Sequence, residues 1–212
     1  MSEGSPFRIL SLDEAKAALL VGKLLLYPTE TLYGLGCDAM NPDAAAMVYW
    51  VKRRSLSLPL PVIIASMSML DQVAYVSDYA QRLMEAFWPG PLTIVLPARK
   101  EMPDILTGRL RRVAVRLSSH PAACELSRAI GRPLVSSSAN ISGAPAVARQ
   151  EELDPALAVG VAGLYLSGPE PAGGAASTVV DTFEDSSGGG VRILRHGAVT
   201  AEDLSRAGFS SI

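Results

Sequence analysis

The stretch Lys23-Leu24-Leu25-Leu26-Tyr27-Pro28-Thr29-Glu30-Thr31-Leu32-Tyr33-Gly34-Leu35-Gly36 opens on an apolar run and closes on two glycines. Residues 23–27 are too few for a helix and almost wholly apolar, the pattern of a strand buried on both faces. The segment then gathers two hydroxyls, a carboxylate and a phenol at Thr29, Glu30, Thr31 and Tyr33 before Gly34 and Gly36. A bare turn needs Gly, Pro, Asn or Asp but not that series of groups. The segment is therefore a candidate site as well as a connection.

Working outward, residues 11–21 keep apolar groups at Leu12, Ala15, Leu19 and Leu20, which is helical spacing. On the other side Asn41 can cap a helix with Pro42 at its first position. That helix runs to about Lys52 and is expected to bury Met47, Val48 and Val51. The alternation continues with strands over 60–65, 92–96, 113–117, 134–137, 164–166, 178–181 and 191–194, rich in Val, Ile and Leu. Further helices run from Ser77 to Trp88, where Pro89-Gly90-Pro91 stops the chain, from Ser119 to Gly131, and from Thr200 to Gly208. Thr200 and Asp203 have capping-box spacing. The class is α/β. Residues 167–176 and 185–190 read as loops, and no internal repeat or long linker divides the chain.

The bulk numbers agree with a folded chain. Of 212 residues 49% are hydrophobic and 19% charged, with 18 Gly and 15 Pro, enough to bury a core and to exclude intrinsic disorder. The net charge of −2 provides no global field for nucleic acid, so any anion site is local. Only Lys16, Lys23, Lys52 and Lys100 are lysines, and the other fifteen basic residues are arginines. Cys37 and Cys124 lack metal or disulfide spacing, and His120 and His196 are too few for a zinc motif. The first residues lack a basic and apolar leader pattern, and no run of ~18 apolar residues spans a membrane. A cytoplasmic protein is expected.

Several motifs fail on context. Gly34-x-Gly36-x-x-Ala39 resembles a dinucleotide fingerprint, but residues 28–31 separate it from the strand and the helix signal comes only at Asn41. There is no Walker A sequence. Ser138-x-Asn140 lacks a Ser-x-x-Lys partner, and two scattered histidines make no Ser-His-acid triad.

Other groups stay open. Lys52-Arg53-Arg54 closes a helix, where cations satisfy the macrodipole. Positions two apart do not share a helical face, so Lys52 and Arg54 can meet one ligand only if the helix ends between them. Arg109, Arg111, Arg112 and Arg116 form a second cluster. Arg116 lies within an apolar strand, which demands an anion, from the protein or from a ligand. The Ser136-Ser137-Ser138-Ala139-Asn140 run is either a turn or a set of small donors for a phosphate or ribose.

Taken in order, residues 27–36, Lys52-x-Arg54 with Pro59-Leu60-Pro61-Val62, Trp88-Pro89-Gly90-Pro91-Leu92-Thr93, Val113-Ala114-Val115-Arg116, residues 138–143, Ser177-Thr178-Val179-Val180-Asp181 and Ile193-Leu194-Arg195-x-Gly197 resemble the YrdC family. These are the threonylcarbamoyl-AMP synthases, also called TsaC. The resemblance runs from about residue 8 to 207, with residues 1–7 as a tail. It implies a twisted open mixed sheet with helices packed on it, a concave basic face, and no extra C-terminal domain of the kind longer relatives carry. The implied reaction joins L-threonine, bicarbonate and ATP into threonylcarbamoyl-AMP and pyrophosphate, with Mg2+ on the nucleotide phosphates and no metal held by the protein. A partner transferase then modifies adenosine 37 of tRNA. By position, Thr29, Arg116, Ser136 and Ser177 resemble threonine contacts. Lys52, Arg54, Ser138, Asn140 and Arg195 resemble nucleotide and phosphate ligands, with Lys52 and Arg54 as the catalytic cations. Leu58, Arg112 and Ala146 depart from the family pattern. Two other readings stand beside this one: a double-stranded RNA or tRNA module using residues 109–116, and a paralogue with another carbamoyl acceptor.

Overall fold

The computed structural model describes residues 6–183 and 189–211. The elements are β1 (Ile9–Leu10), α1 (Leu12–Leu20), β2 (Leu24–Pro28), β3 (Tyr33–Gly36), α2 (Pro42–Lys52), β4 (Val62–Ile64), α3 (Met67–Val73), α4 (Asp78–Phe87) and β5 (Leu92–Pro97). They continue with α5 (Asp104–Thr107), β6 (Arg112–Leu117), α6 (Pro121–Ile130), β7 (Leu134–Val135), β8 (Ser137–Ser138), β9 (Val161–Tyr165), β10 (Thr178–Phe183), β11 (Gly190–Arg195) and α7 (Ala201–Arg206). The class is α/β, but the strands form two mixed sheets rather than one. Five strands run in the order β1-β9-β2-β3-β8, and six in the order β11-β10-β5-β6-β4-β7.

The all-apolar strands follow from this layering. Successive side chains on a strand point to opposite faces. Leu24 and Leu26 of β2 enter one core, and Leu25 and Tyr27 enter a second. Val62 and Ile64 face the first core while Ile63 faces the second, and Val135 and Leu134 divide in the same way. The second core also takes Ala15 and Leu19 of α1 and Ala122, Ala123 and Leu126 of α6.

Helix starts follow the capping chemistry. Asn41 accepts from the Ala44 amide, Ser77 from the Ala80 amide, and Thr200 and Asp203 form a reciprocal box. The helix expected from Ser119 begins two residues later, at Pro121. His120 is its cap, Nδ1 accepting from the Ala122 amide at 3.2 Å.

Other expectations are corrected. Met47 is 42% exposed while Val48 and Val51 are buried, because the buried face of α2 is set by Ala44, Ala45, Val48 and Val51. Strand β9 starts at Val161, hidden in sequence by Gly160 and Gly163. Residues 33–36 are a strand, not a loop, and β1 and α3 carry too few residues for periodicity to show. Phe7, placed in the tail by sequence, is buried in the first core. Residues 167–176 contain no helix or strand. Most of the expected loop 185–190 lies outside the described residues. No described helix is long and apolar enough to cross a membrane.

Candidate active site

Where the two sheets meet, a cavity is lined by Thr29, Thr31, Arg54, Thr93, Arg116, Ser136, Ser137, Ser138, Ala176, Ser177 and Arg195, among others. Seven of the nine residues singled out in the sequence line it: Thr29, Arg54, Arg116, Ser136, Ser138, Ser177 and Arg195. Among the described residues, three arginines and no carboxylate form its wall. Their charges act on one another. Burial pulls the Arg195 guanidinium below the usual arginine value, and the Arg116 and Arg54 charges lower it further. Such a cluster favours an anionic ligand, and guanidinium forks suit carboxylate and phosphate.

Each cation arrives by a distinct local device. The α2 helix ends at Lys52, and Arg53 turns the chain with a left-handed φ of 51°, uncommon for a residue with a Cβ. The helix thus ends between Lys52 and Arg54, as one shared ligand would require. The two side chains nevertheless part. Arg54 lines the cavity, and its Nε and Nη2 donate to the carbonyls of Leu58 at 3.1 Å and Pro59 at 3.2 Å. The departure at Leu58 therefore leaves this contact intact, since only its backbone is used.

Lys52 is 1% exposed and lies behind the cavity wall. Its ammonium donates to the Ser138 carbonyl, to the Asn140 carbonyl at 2.6 Å and to Asn140 Oδ1 at 3.2 Å. Asn140 spends its amide on the carbonyls of Ile141 at 3.0 Å and Ala144 at 2.6 Å. Lys52 and Asn140, expected among the nucleotide ligands, do not line the cavity. They hold the loop that presents Ser138, whose hydroxyl donates to Asn140 Oδ1 at 2.5 Å.

Burial brings the Lys52 ammonium down to about 8, with the Arg54 charge adding to the effect. Across the window from about pH 8 to 10.5 the unfolded chain then binds more protons than the folded one, so this group makes stability rise with pH. Comparing urea midpoints of the wild type and Lys52→Met at pH 7.5 and pH 10 reads this directly. The wild type gains on the variant toward pH 10, on the order of 3 kcal/mol at most, and a constant difference refutes it.

Arg116 meets a carboxylate of the protein. Nη1 donates to Glu30 Oε1 at 2.5 Å, and Ser118 Oγ donates to Glu30 Oε2 at 2.5 Å. The Thr29 hydroxyl donates to the Leu32 carbonyl at 2.7 Å, closing the turn between β2 and β3. Ser136 joins β7 to β8, and its amide donates to the Pro61 carbonyl at 2.9 Å. Ser177 Oγ is 2.9 Å from Thr93 Oγ1, and Arg195 Nη2 donates to it at 3.0 Å and to the Ser177 carbonyl at 2.7 Å. Gly197 makes that approach feasible, because a Cβ there would lie 2.2 Å from the Ala176 carbonyl oxygen and 2.6 Å from the Ser177 carbonyl carbon.

The other arginines of residues 109–116 do not form a second site with Arg116. Arg111 pairs with Asp104 and Arg112 with Asp181. Thr31 and Ser137, which line the cavity too, lie in segments the sequence marked without giving them a role; sequence reasoning missed Thr93 as a lining residue and Glu30 as the partner of Arg116. Strand alternation puts Thr93 opposite the core-facing Leu92 and Ile94, a signal that identifies the face but not the cavity.

Residues 17–197 match the family Sua5_yciO_yrdC, described as Telomere recombination. The threonylcarbamoyl-AMP synthase of Stenotrophomonas maltophilia (strain K279a) is 42% identical over 151 residues, 70% of this chain and 81% of the relative. That of Bacillus subtilis (strain 168) is 38% identical over 196 residues, 90% of this chain. The chain spans 54% of the Bacillus protein's length. The structure of Pyrococcus abyssi Sua5 complexed with L-threonine superposes with a TM-score of 0.84 at 32% identity, covering 96% of this chain and 60% of that one. Matched over most of its length in sequence and in fold, the chain belongs to the Sua5/YciO/YrdC family.

Proposed function

We propose that this protein condenses L-threonine, bicarbonate or CO2, and ATP into threonylcarbamoyl-AMP and pyrophosphate, for transfer to adenosine 37 of tRNA by partner enzymes in the cytoplasm. The observation that carries this reading is the convergence of Arg54, Arg116 and Arg195 on one cavity that no carboxylate lines among the described residues. The names of the related synthases and the threonine bound to the Pyrococcus protein support it.

The chemistry uses positioning and charge. The threonine amine attacks CO2, an N–C bond forms as one C–O π bond breaks to leave a carboxylate oxygen, and the nitrogen gives up a proton to solvent. A carbamate oxygen then attacks the α-phosphorus, the bond from that phosphorus to the bridging oxygen breaks, and pyrophosphate leaves. Arg116 holds the threonine carboxylate, with Ser136, Ser177 and Thr29 around the amino acid. Arg54 and Arg195 neutralise phosphate charge where it develops, and Ser138 faces the nucleotide. Lys52 and Asn140 fix the Ser138 loop. Mg2+ would be carried on the nucleotide phosphates and would add to the charge neutralisation that Arg54 and Arg195 supply there. One domain over residues 8–207 is the unit proposed to do this.

The test is to incubate the purified protein with ATP, bicarbonate and labelled threonine and to separate the mixed anhydride by chromatography. Product forms only with all three substrates. Pyrophosphate release without threonine would instead favour a paralogue with another acceptor, and steeply salt-dependent RNA binding without turnover would favour an RNA module. Arg54→Ala lowers product formation by roughly 10²–10³-fold, the scale for loss of one preorganised donor at a charged transition state. A melting curve close to the wild type separates that loss from unfolding.

A further inference from the structure

The carboxylate on Arg116 stands just behind the cavity wall and has both oxygens committed. Glu30 Oε1 accepts from Arg116 Nη1 at 2.5 Å, and Oε2 accepts from Ser118 Oγ at 2.5 Å. Ser118 Oγ in turn accepts from the His120 amide at 3.1 Å. The two side chains of the ion pair are only 7% and 14% exposed. The backbone of Glu30 is also anchored, its carbonyl accepting from the Ala172 amide at 3.3 Å. Apart from Arg116, the described partners of Glu30, Ser118 and the Ala172 amide, belong to the scaffold.

Arg116 needs such a holder. It faces Arg54 and Arg195 across a cavity that no carboxylate lines among the described residues, and like charges at close range push a long side chain outward. The contact with Glu30 uses Nη1, so Nε and Nη2 are not spent on that carboxylate. A fork fixed in advance loses less freedom when it meets its ligand.

Resting on the assignment of Arg116 to the threonine carboxylate, we propose that Glu30 is a positioning residue for amino-acid recognition. It fixes the Arg116 guanidinium for the substrate carboxylate and acts through Arg116 without touching the substrate.

Steady-state kinetics on Glu30→Gln tests this. The threonine KM rises by roughly tenfold or more as preorganisation is lost, while kcat and the ATP KM stay within about threefold. Ser118→Ala, which frees one oxygen of Glu30, gives the same split in smaller measure. In the double variant Glu30→Gln/Arg116→Lys the threonine KM stays within about twofold of Arg116→Lys alone, since both act on one contact. Equal movement of the two KM values, or multiplication of the two single effects, overturns the proposal in favour of a general structural role. The orientation is also read without turnover. In nitrogen-resolved NMR spectra the Arg116 Nε–H resonance is protected from exchange in the wild type and averaged in Glu30→Gln, and an unchanged resonance overturns the proposal. If the wild type makes no threonylcarbamoyl-AMP, the proposed function falls, and these spectra still decide whether Glu30 holds Arg116.

Discussion

Arg116→Lys raises the threonine KM by roughly 10- to 150-fold and leaves the ATP KM nearly unchanged. The range follows from about 1.5–3 kcal/mol for hydrogen bonds to a charged partner, lost because an ammonium cannot copy a planar fork. Arg116 already gives Nη1 to Glu30. The lysine keeps one charge near Glu30, so the ion pair survives in reduced form, but it has no second edge for a substrate carboxylate. Loss confined to threonine distinguishes a recognition residue from a strut. Initial rates of pyrophosphate release against threonine at saturating ATP, then against ATP at saturating threonine, separate the two. An unchanged threonine KM removes Arg116 from the amino-acid site.

Gly36→Ala is expected to cost about 3 kcal/mol or more of stability, the upper end of overpacking. A Cβ on Gly36 would lie 1.9 Å from the Val135 carbonyl oxygen and 2.8 Å from the Tyr27 hydroxyl. Neither neighbour can yield easily. The Val135 carbonyl accepts from Tyr27 at 2.9 Å, and Val135 pairs with Val62 in the six-stranded sheet. Gly36 itself pairs with Leu25 at the other sheet. For a chain of this length the melting temperature falls by roughly 6–12 °C. Urea denaturation midpoints check it, and a variant with wild-type stability would mean the two sheets can part locally at no cost.

Helix starts were legible because their chemistry is local. Asn41 before Pro42, Ser77 before Asp78 and Thr200 with Asp203 each place a side-chain acceptor within three residues of the amide it serves. Strand β3 was not legible as a strand, because glycines that hold it close to Tyr27 and Val135 look like turn residues until the neighbour is known. The two-sheet division was also hidden, since alternation says which residues face apart but not that both faces meet separate cores.

In the candidate site the arginines could be read from sequence and their partners could not. Residue types showed that Arg116 needs an anion, yet Glu30 lies 86 positions away. Lys52 and Arg54 looked equivalent by charge and spacing. The turn at Arg53 sends one behind the wall and the other into the cavity, and only the carbonyls of Ser138 and Asn140 explain why an ammonium belongs there.

Ser136 is the single residue between β7 of the six-stranded sheet and β8 of the five-stranded sheet. Arg116 and Arg195 stand on the six-stranded sheet, Thr29 and Ser138 on the rim of the five-stranded one, so a molecule gripping all four bridges the seam between them. That seam is already tied by the Tyr27 hydroxyl on the Val135 carbonyl and by the Val135 amide on the Cys37 carbonyl, so the two halves of the grip are registered before any ligand arrives.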